Sequence, residues 1–486
     1  MTAGQSITQR SPPLFFRRLS TLLRSPDADD QQPPPNTLGA LLTVALSSAA
    51  LSAFTTSALF LAWVRRFRPP KLHYDPTPEN EAIVRHLPLL HRTYVPNMLA
   101  WNAHLAGIFG YLKLPGRPLK NRELITLPDG GTVALSWQND PPREDDGQRV
   151  VILFPGINND SRMPYIRHLS NLLEREGLGH ICAVDWRGLG GQELRSVSGT
   201  PKPYCAACNA DIGFVLAHLR ARLPRTPFFG VGWSMGGCLM LRHMGEAADE
   251  CLLSGAMAVS PLLDIEKGYT NFARTLLGKY GYVPVIMAPL VAYLWRHRHA
   301  LSQGERPIHF ARDVLLRALR QESGLDDCIY GPAWGVGGKE GYWEHSSAGR
   351  VISSVCRPTL IIHSEDDPIC PLEAMPLAEM TANAHIITAL TRHGGHMGYT
   401  AGLSPLTHTW TDRLLVHYLR HFDNRPSTNG AEGTWTGGGA AGECVSPAAA
   451  AGSQQSPRVA RAEIAYAHVP PCDGPWLPPV CVPSRL

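Results

Sequence analysis

The stretch Gly232-Trp233-Ser234-Met235-Gly236 decides the fold of this chain. It follows an apolar run over residues 227–231 and precedes a segment with helical character. A serine placed between glycines at such a junction is typical of a nucleophile elbow, a tight turn from strand to helix that projects the hydroxyl. The elbow glycines Gly232 and Gly236 let the two backbones approach closely. The stretch therefore predicts a catalytic serine, Ser234, if its partners follow along the chain.

Short apolar or β-branched segments recur around this elbow and predict strands. These segments are residues 150–154, 180–184, 228–233, 256–260, 359–363 and 386–390. Helical candidates separate most of them, at residues 165–176, 210–223 and 237–248. This alternation predicts an α/β fold with a mostly parallel central sheet and helices on both faces. In such sheets the chemistry lies at the carboxyl ends of the strands.

Acidic residues follow the strand predicted at 359–363. Asp366 and Asp367 are both placed to orient an imidazole in the correct tautomer and to stabilise its cation. A solvated acidic turn is the alternative interpretation.

Two histidines follow the last predicted strand, in the stretch His393-Gly394-Gly395-His396. Glycines beside a histidine allow the loop to carry the ring over the sheet edge. The residues therefore occur in the order Ser, Asp, His, each just after a predicted strand, which is the order of the α/β-hydrolase fold. From the residues alone, either histidine can be the base.

An acyl-transfer site also needs donors for the oxyanion that forms in the transition state. The loop Pro155-Gly156-Ile157-Asn158 follows the first strong strand, and its glycine gives room to turn an amide inward. We assign the two donors to the backbone N–H groups of Met235 and Ile157. This chemistry requires no metal and no organic cofactor.

Composition excludes other classes of protein. The chain has 45 basic and 41 acidic residues, and no basic run is interleaved with aromatic residues, so nucleic-acid binding is not expected. The eleven cysteines are scattered and fall mostly in apolar stretches, which favours reduced core residues. Cys205 and Cys208 form a close pair, but no second pair completes a metal site. No obligate protein partner is indicated.

The amino-terminal region predicts a membrane anchor. After a polar segment at residues 1–36, residues 38–64 carry no charge over a length sufficient to cross a bilayer, so the anchor is placed at 37–64. Trp63 and Arg65 form an interfacial edge. A buried or surface-lying helix is the alternative for this segment, and the acid-free first 26 residues also fit an organelle presequence.

The catalytic domain is predicted at residues 65–424 and a disordered tail, rich in Gly, Ala, Pro and Ser, at 425–486. The tail ends in Ser-Arg-Leu, close to a peroxisomal address. The expected location is single-pass in an endomembrane such as the endoplasmic reticulum, with mitochondria and peroxisomes as alternatives. The alternation of strand-like and helix-like segments stops at residues 265–350, which predicts a cap inserted before the strand that carries the aspartate. Its apolar stretch 281–295, followed by basic residues, fits either an acyl-chain lid or a cap helix with a solvated end.

With these motifs in view, residues 94–421 resemble the membrane-anchored α/β-hydrolase-domain proteins of hydrolase family four. That family includes mammalian phospholipase-like members, plant embryogenesis-associated proteins and bacterial esterases. The motifs that carry the resemblance are Leu127-Pro128-Asp129-Gly130-Gly131, Trp186-Arg187-Gly188, the elbow, Glu365-Asp366-Asp367-Pro368 and His393-Gly394-Gly395-His396.

The resemblance implies Ser234 as nucleophile, Asp367 rather than Asp366 as the orienting acid, and His396 rather than His393 as the base. The chain departs from the family at residues 156–160, where Gly-Ile-Asn-Asn-Asp replaces a glycine-rich loop. The resulting prediction is a serine hydrolase of carboxylic esters, with phospholipids or acylglycerols as substrates. The alternatives are an esterase for short, soluble acyl esters and a membrane scaffold that keeps the fold without turnover.

Overall fold

The computed structural model describes residues 64–423 apart from 115, 197–198, 200, 304–306 and 309–323, together with isolated positions between 46 and 62. The strands of this part are β1 (Lys71–Tyr74), β2 (Asn121–Thr126), β3 (Thr132–Trp137), β4 (Val150–Phe154), β5 (His180–Asp185), β6 (Phe228–Trp233), β7 (Leu253–Val259), β8 (Thr359–Ser364) and β9 (Ile386–Thr391). They form one sheet in the order β1-β9-β8-β7-β6-β4-β5-β3-β2.

The centre of the sheet is parallel and its edges are antiparallel. Strands β5, β4, β6, β7, β8 and β9 pair in parallel, whereas β1 runs antiparallel to β9 and β3 runs antiparallel to both β5 and β2. The sequence predicted every parallel strand to within a few residues, but it did not identify the three antiparallel ones. The predicted α/β-hydrolase fold with a mostly parallel sheet is confirmed.

Helices cover both faces of the sheet. Those that follow the first strands are α1 (Pro78–His86), α2 (Ala103–Tyr111), α3 (Pro164–Arg175), α4 (Ala210–Arg222) and α5 (Met235–Ala247). Between β7 and β8 lie α6 (Ile265–Arg274), α7 (Val283–Arg296), α8 (Arg298–Leu301), α9 (Gly331–Trp334) and α10 (Lys339–Ser346). The last two are α11 (Leu377–Ala382) and α12 (Trp410–His421).

Strand β4 shows why the sheet is buried on both sides. All five of its residues are inaccessible, but Val150, Ile152 and Phe154 pack into one hydrophobic cluster while Val151 and Leu153 pack into another. Because side chains alternate across a strand, each face of the sheet has its own core. A strand buried on both faces carries a continuous apolar run, which is the pattern seen in the sequence.

The described residues between β7 and β8 contain helices and no strand. We call residues 265–350 of this segment the cap. Cys182, Cys238 and Cys370 are buried and free, as expected of core cysteines. Two compact units divide at Arg66, and the sheet belongs to the second. No helix among the described residues is long and apolar enough to cross a membrane. The predicted anchor at 37–64, apart from isolated positions, and the tail at 425–486 lie outside the described residues.

Candidate active site

Ser234 lies at a strained turn between β6 and α5. Its backbone has φ 50° and ψ −120°, a conformation that is unfavourable for a residue with a Cβ atom. The glycines on either side relieve the crowding. A Cβ on Gly232 would come within 2.6 Å of the Gly237 Cα, and one on Gly236 would collide with the carbonyl oxygen of Phe154. The elbow therefore requires glycine at both flanking positions, as the sequence indicated.

The loops after β8 and β9 bring the predicted aspartate and histidine to this turn. The His396 Nε2 atom lies 3.0 Å from the Ser234 Oγ atom, and the His396 Nδ1 atom lies 2.9 Å from an Asp367 carboxylate oxygen. These distances are in the hydrogen-bonding range for a nucleophile, a base and the group that orients the base. Asp367 and His396 follow Ser234 by 133 and 162 positions in the sequence, yet the three side chains form one hydrogen-bonded path.

Asp367 is held as a buried carboxylate. Its Oδ1 atom accepts hydrogen bonds from the backbone N–H groups of Ile369 and Cys370, at 2.8 and 2.9 Å, while Oδ2 faces His396. Burial by itself raises the pKa of an aspartate, but the charge and hydrogen bond of His396 and the backbone donors outweigh burial and lower the pKa of Asp367. The carboxylate is therefore ionised at neutral pH and suited to stabilising an imidazolium.

The neighbouring Asp366 and His393 are turned away from Ser234 and contact each other. The Asp366 Oδ1 atom accepts a hydrogen bond from the Gly395 N–H at 2.9 Å, and its Oδ2 atom lies 3.3 Å from the His393 Nδ1 atom. His393 also packs edge-on against Phe67. Asp366 thus fixes the loop that carries His396. The sequence motifs alone did not decide which of the two aspartates and which of the two histidines would meet the serine. The structure brings Asp367 and His396 to it.

Two serines that the sequence analysis did not identify also hold this loop. Ser364, at the end of β8, donates a hydrogen bond to the Gly395 carbonyl oxygen at 3.0 Å. Ser260, just after β7, accepts one from the Met397 N–H at 3.2 Å. Both serines are inaccessible to solvent. Their common signal is a polar residue at the end of an apolar strand, the same signal that located the aspartates.

The loop after β4 lies directly against the elbow. A Cβ on Gly156 would be 3.6 Å from the Ser234 Cβ atom. The Gly156 N–H donates to the Tyr165 hydroxyl at 3.0 Å and is therefore already hydrogen-bonded. The N–H groups of Ile157 and Met235, in contrast, donate to no acceptor among the described residues. The assignment of these two amides as oxyanion donors stays a prediction.

Asn159 ties this loop to two tyrosines. Its side-chain Nδ2 group donates to the Tyr165 hydroxyl at 3.2 Å, and its side-chain Oδ1 atom accepts from the Tyr111 hydroxyl, also at 3.2 Å. Tyr111 belongs to α2, so the loop and that helix are joined beside the elbow. The Asn158 backbone has φ 54°, a conformation that asparagine tolerates better than most residues.

Two further motifs of the family meet in a buried ion-pair network. The Arg187 guanidinium lies 2.6 Å from Asp211 and 2.7 Å from Asp129. The cap contacts the same loop, because the Tyr293 hydroxyl donates to the Arg187 carbonyl oxygen at 3.0 Å and the buried His297 ring lies 2.9 Å from the Gly188 carbonyl oxygen. In the basic stretch at the end of α7, His297 is thus buried, whereas Arg296 and His299 are exposed.

Within the part of the chain that the structure describes, two clusters have the spacing of a cation site. In the first, Asp367 and His396 with Cys370, the histidine nitrogens and both carboxylate oxygens already have the partners described above. The second comprises His168, His408 and Asp412. The Arg175 guanidinium lies 3.5 Å from the His408 Nε2 atom. A cation beside the ligands opposes binding of a second cation.

Comparison with known proteins agrees with this arrangement. The model of the family described as "Serine aminopeptidase, S33", hydrolase family 4, matches residues 145–397. The chain is 28% identical to "Phospholipase ABHD3" of Mus musculus over 350 residues, which are 69% of this chain and 80% of that protein. It is 26% identical to "Embryogenesis-associated protein EMB8" of Picea glauca, over 65% of this chain and 70% of that protein.

A third relative is "Monoacylglycerol lipase ABHD2" of Bos taurus, at 25% identity over 72% of this chain and 85% of that protein. The family match spans more than half of the chain, from before β4 to just beyond His396, and therefore includes the elbow and both loops that meet at it. The chain belongs to hydrolase family 4, the serine aminopeptidase S33 family.

Proposed function

We propose that this protein is a serine hydrolase that cleaves carboxylic ester bonds of lipids, with Ser234 as nucleophile, His396 as general base and Asp367 as the orienting acid. The observation that carries the proposal is the connected path from Ser234 Oγ through both nitrogens of His396 to Asp367, with 3.0 and 2.9 Å between the successive atoms. The names of the relatives, a phospholipase and a monoacylglycerol lipase, favour lipid esters as substrates.

The geometry supports a two-step mechanism. His396 takes the Ser234 proton as Oγ bonds to the ester carbonyl carbon, and Asp367 stabilises the imidazolium that forms. The Met235 and Ile157 N–H groups donate to the oxyanion. His396 then gives its proton to the departing alcohol, which leaves an acyl-enzyme. Water, deprotonated by His396, attacks the acyl carbon, and the acid is released as Ser234 regains the proton.

The proposal extends to the setting of the enzyme. Residues 37–64 serve as a single-pass anchor in an endomembrane, residues 65–424 form the catalytic domain, and residues 425–486 form a tail. The support is the uncharged length of residues 38–64 and the interfacial Trp63 beside Arg65. Alkaline carbonate should fail to extract the full chain from membranes and should release a chain that lacks 37–64. Release of both would contradict the anchor.

Fluorophosphonate labelling of the full-length chain tests the nucleophile. The unsubstituted protein should be labelled, while Ser234→Ala, whose fold is checked by circular dichroism, should not be. Equal labelling of the two, or of neither, would refute the hydrolase and leave the scaffold hypothesis. A series of acyl esters then distinguishes a lipid hydrolase from a short-chain esterase, because the lipid enzyme should hydrolyse long chains faster than acetyl or butyryl esters.

A further inference from the structure

Large apolar side chains are exposed on two segments of the catalytic unit. One segment, residues 98–114, contains α2, and the other, residues 276–295, contains most of α7. Trp101 is 67% exposed and Leu276 is 78% exposed, whereas side chains of this size are ordinarily buried. We call six of these exposed side chains, three from each segment, the rim. The rim consists of Leu99, Trp101, Ile108, Leu276, Leu277 and Tyr280.

Both segments adjoin the active site. Helix α2 lies against the loop that carries the base, because a Cβ on Gly107 would be 3.2 Å from the His396 carbonyl oxygen. The His104 Nδ1 atom, on α2, lies 2.6 Å from the hydroxyl of Tyr282, which directly precedes α7. The two halves of the rim are therefore joined beside His396, and their exposed apolar side chains flank the site.

The two stretches of sequence that contain the rim carry basic residues but no acidic ones. Residues 94–122 and 267–304 contain no Asp or Glu, although acidic residues number 41 in the chain. Basic residues of the second stretch lie beside aromatic rings. The Lys279 ammonium is 5.6 Å from the centre of the Tyr280 ring, and the Arg298 guanidinium is 4.4 Å from that of Trp295. Exposed apolar and aromatic groups edged by cations are characteristic of surfaces that enter the headgroup layer of anionic membranes.

We propose that the rim is a monotopic docking surface that places the entrance of the active site on an anionic lipid bilayer. This inference rests on the proposed function, because a lipid ester is supplied from within a bilayer. Charge complementarity favours anionic lipid over a second copy of the chain, since two copies would oppose the same acid-free segments. Docking here is separate from anchoring by residues 37–64, which would tether the chain without orienting the catalytic unit.

Turnover at an interface tests the surface. The full-length double variant Trp101→Ser/Leu277→Ser is compared with Leu124→Ser, a control on edge strand β2 whose leucine is 62% exposed. On a long-chain ester in phosphatidylcholine–phosphatidylserine vesicles, the double variant should lose about tenfold or more, because two large apolar contacts with the bilayer are removed. Hydrolysis of p-nitrophenyl acetate should change less than about twofold in either variant. A loss on vesicles no greater than that of the control would overturn the proposal.

A binding measurement separates failure of docking from failure of catalysis. A polarity-sensitive dye is attached to Leu277→Cys or to Leu124→Cys, each in the Ser234→Ala background, so that no turnover is needed. On adding the anionic vesicles, emission should shift to the blue at position 277 only, and high salt should weaken the shift. No shift at 277 would refute docking even if the enzyme is active. A blue-shifted dye before vesicles are added, together with a dimer in sedimentation, would identify a second copy as the occupant.

Discussion

The floor of the active site holds a buried aspartate and the cap holds a partly buried one, and the pKa values of these two aspartates are shifted in opposite directions. Asp367, in the floor, faces His396 and accepts two backbone N–H groups, and its pKa is lowered. Asp326, in the cap, accepts a hydrogen bond from the Trp343 indole at 2.7 Å, and burial raises its pKa to about 6. The difference shows that the hydrogen-bonding and charged neighbours of a carboxylate, and not its burial alone, decide whether it stays ionised.

The same contrast extends to the surroundings of the two residues. The floor consists of polar residues at the ends of parallel strands, fixed by hydrogen bonds such as those of Ser260 and Ser364. The cap and the segment at residues 98–114 instead expose large apolar groups, among them Leu276 and Trp101. The polar groups of the active site and the exposed apolar side chains thus lie in different parts of the catalytic unit. Three predictions test this division.

The largest effect is expected from the two adjacent aspartates of the floor. Asp367→Asn should lower kcat by about 10³- to 10⁴-fold, because an amide cannot stabilise the imidazolium and favours the wrong tautomer of His396. Asp366→Asn should cost about tenfold or less, since the amide oxygen still accepts the Gly395 N–H. Steady-state kinetics on one ester compares the two. A greater loss for Asp366→Asn would reverse the assignment of the orienting acid.

A smaller effect is expected from the glycines behind Ser234. Gly236→Ala should destabilise the protein by about 3 kcal/mol, because the new methyl group meets the backbone oxygens of Phe154 and Pro155, which cannot move independently of β4. Gly237→Ala is the matched control. There the nearest atoms, the Gly232 oxygen and the Pro261 Cβ, lie at 3.2 and 3.3 Å, and alanine also favours the helix.

The control should therefore change the free energy of unfolding, measured in urea, by about 1 kcal/mol or less. Equal losses in the two variants would mean that the elbow does not depend on close contact with the end of β4.

The floor of the active site was easier to predict from the sequence than the edge strands and α2 were. Parallel strands such as β4 are buried on both faces and therefore appear as continuous apolar runs. Strand β2, Asn121–Thr126, alternates between exposed residues and buried or partly buried ones at the edge of the sheet and contains Arg122 and Glu123, so it has no such run. Helix α2 was missed because its outer face is apolar and exposed, and no change in polarity marks it.

The choice between Asp366 and Asp367 shows what local sequence does not contain. Both residues follow the same strand, and neither spacing nor composition separates them. The separation comes from the turn after β8, in which the N–H groups of Ile369 and Cys370 bind one carboxylate, and from the distant Gly395 N–H, which binds the other. Such long-range partners become known only when the loops after β8 and β9 are placed side by side.

The smallest predicted effect concerns Asp326 and is a stability that depends on pH. Its folded pKa of about 6 exceeds the unfolded value of about 3.9, so the folded state binds more protons between these values. Stability therefore decreases as pH rises from about 4 to 6. Asp326→Asn has no charge to bury and still accepts a hydrogen bond from Trp343. It should unfold at higher urea than the parent at pH 7.5, by about 1–3 kcal/mol, and should match the parent near pH 4.

Asp367→Asn should show the opposite sign in the same experiment. Because its folded pKa is lowered, Asp367 contributes stability above the unfolded pKa, and that contribution is lost as pH falls through the folded pKa. Its amide variant should therefore be less stable than the parent at pH 7.5 and approach the parent in acid. If both variants are destabilised at pH 7.5, Asp326 is held by charged partners as Asp367 is, and the contrast between floor and cap fails at that residue.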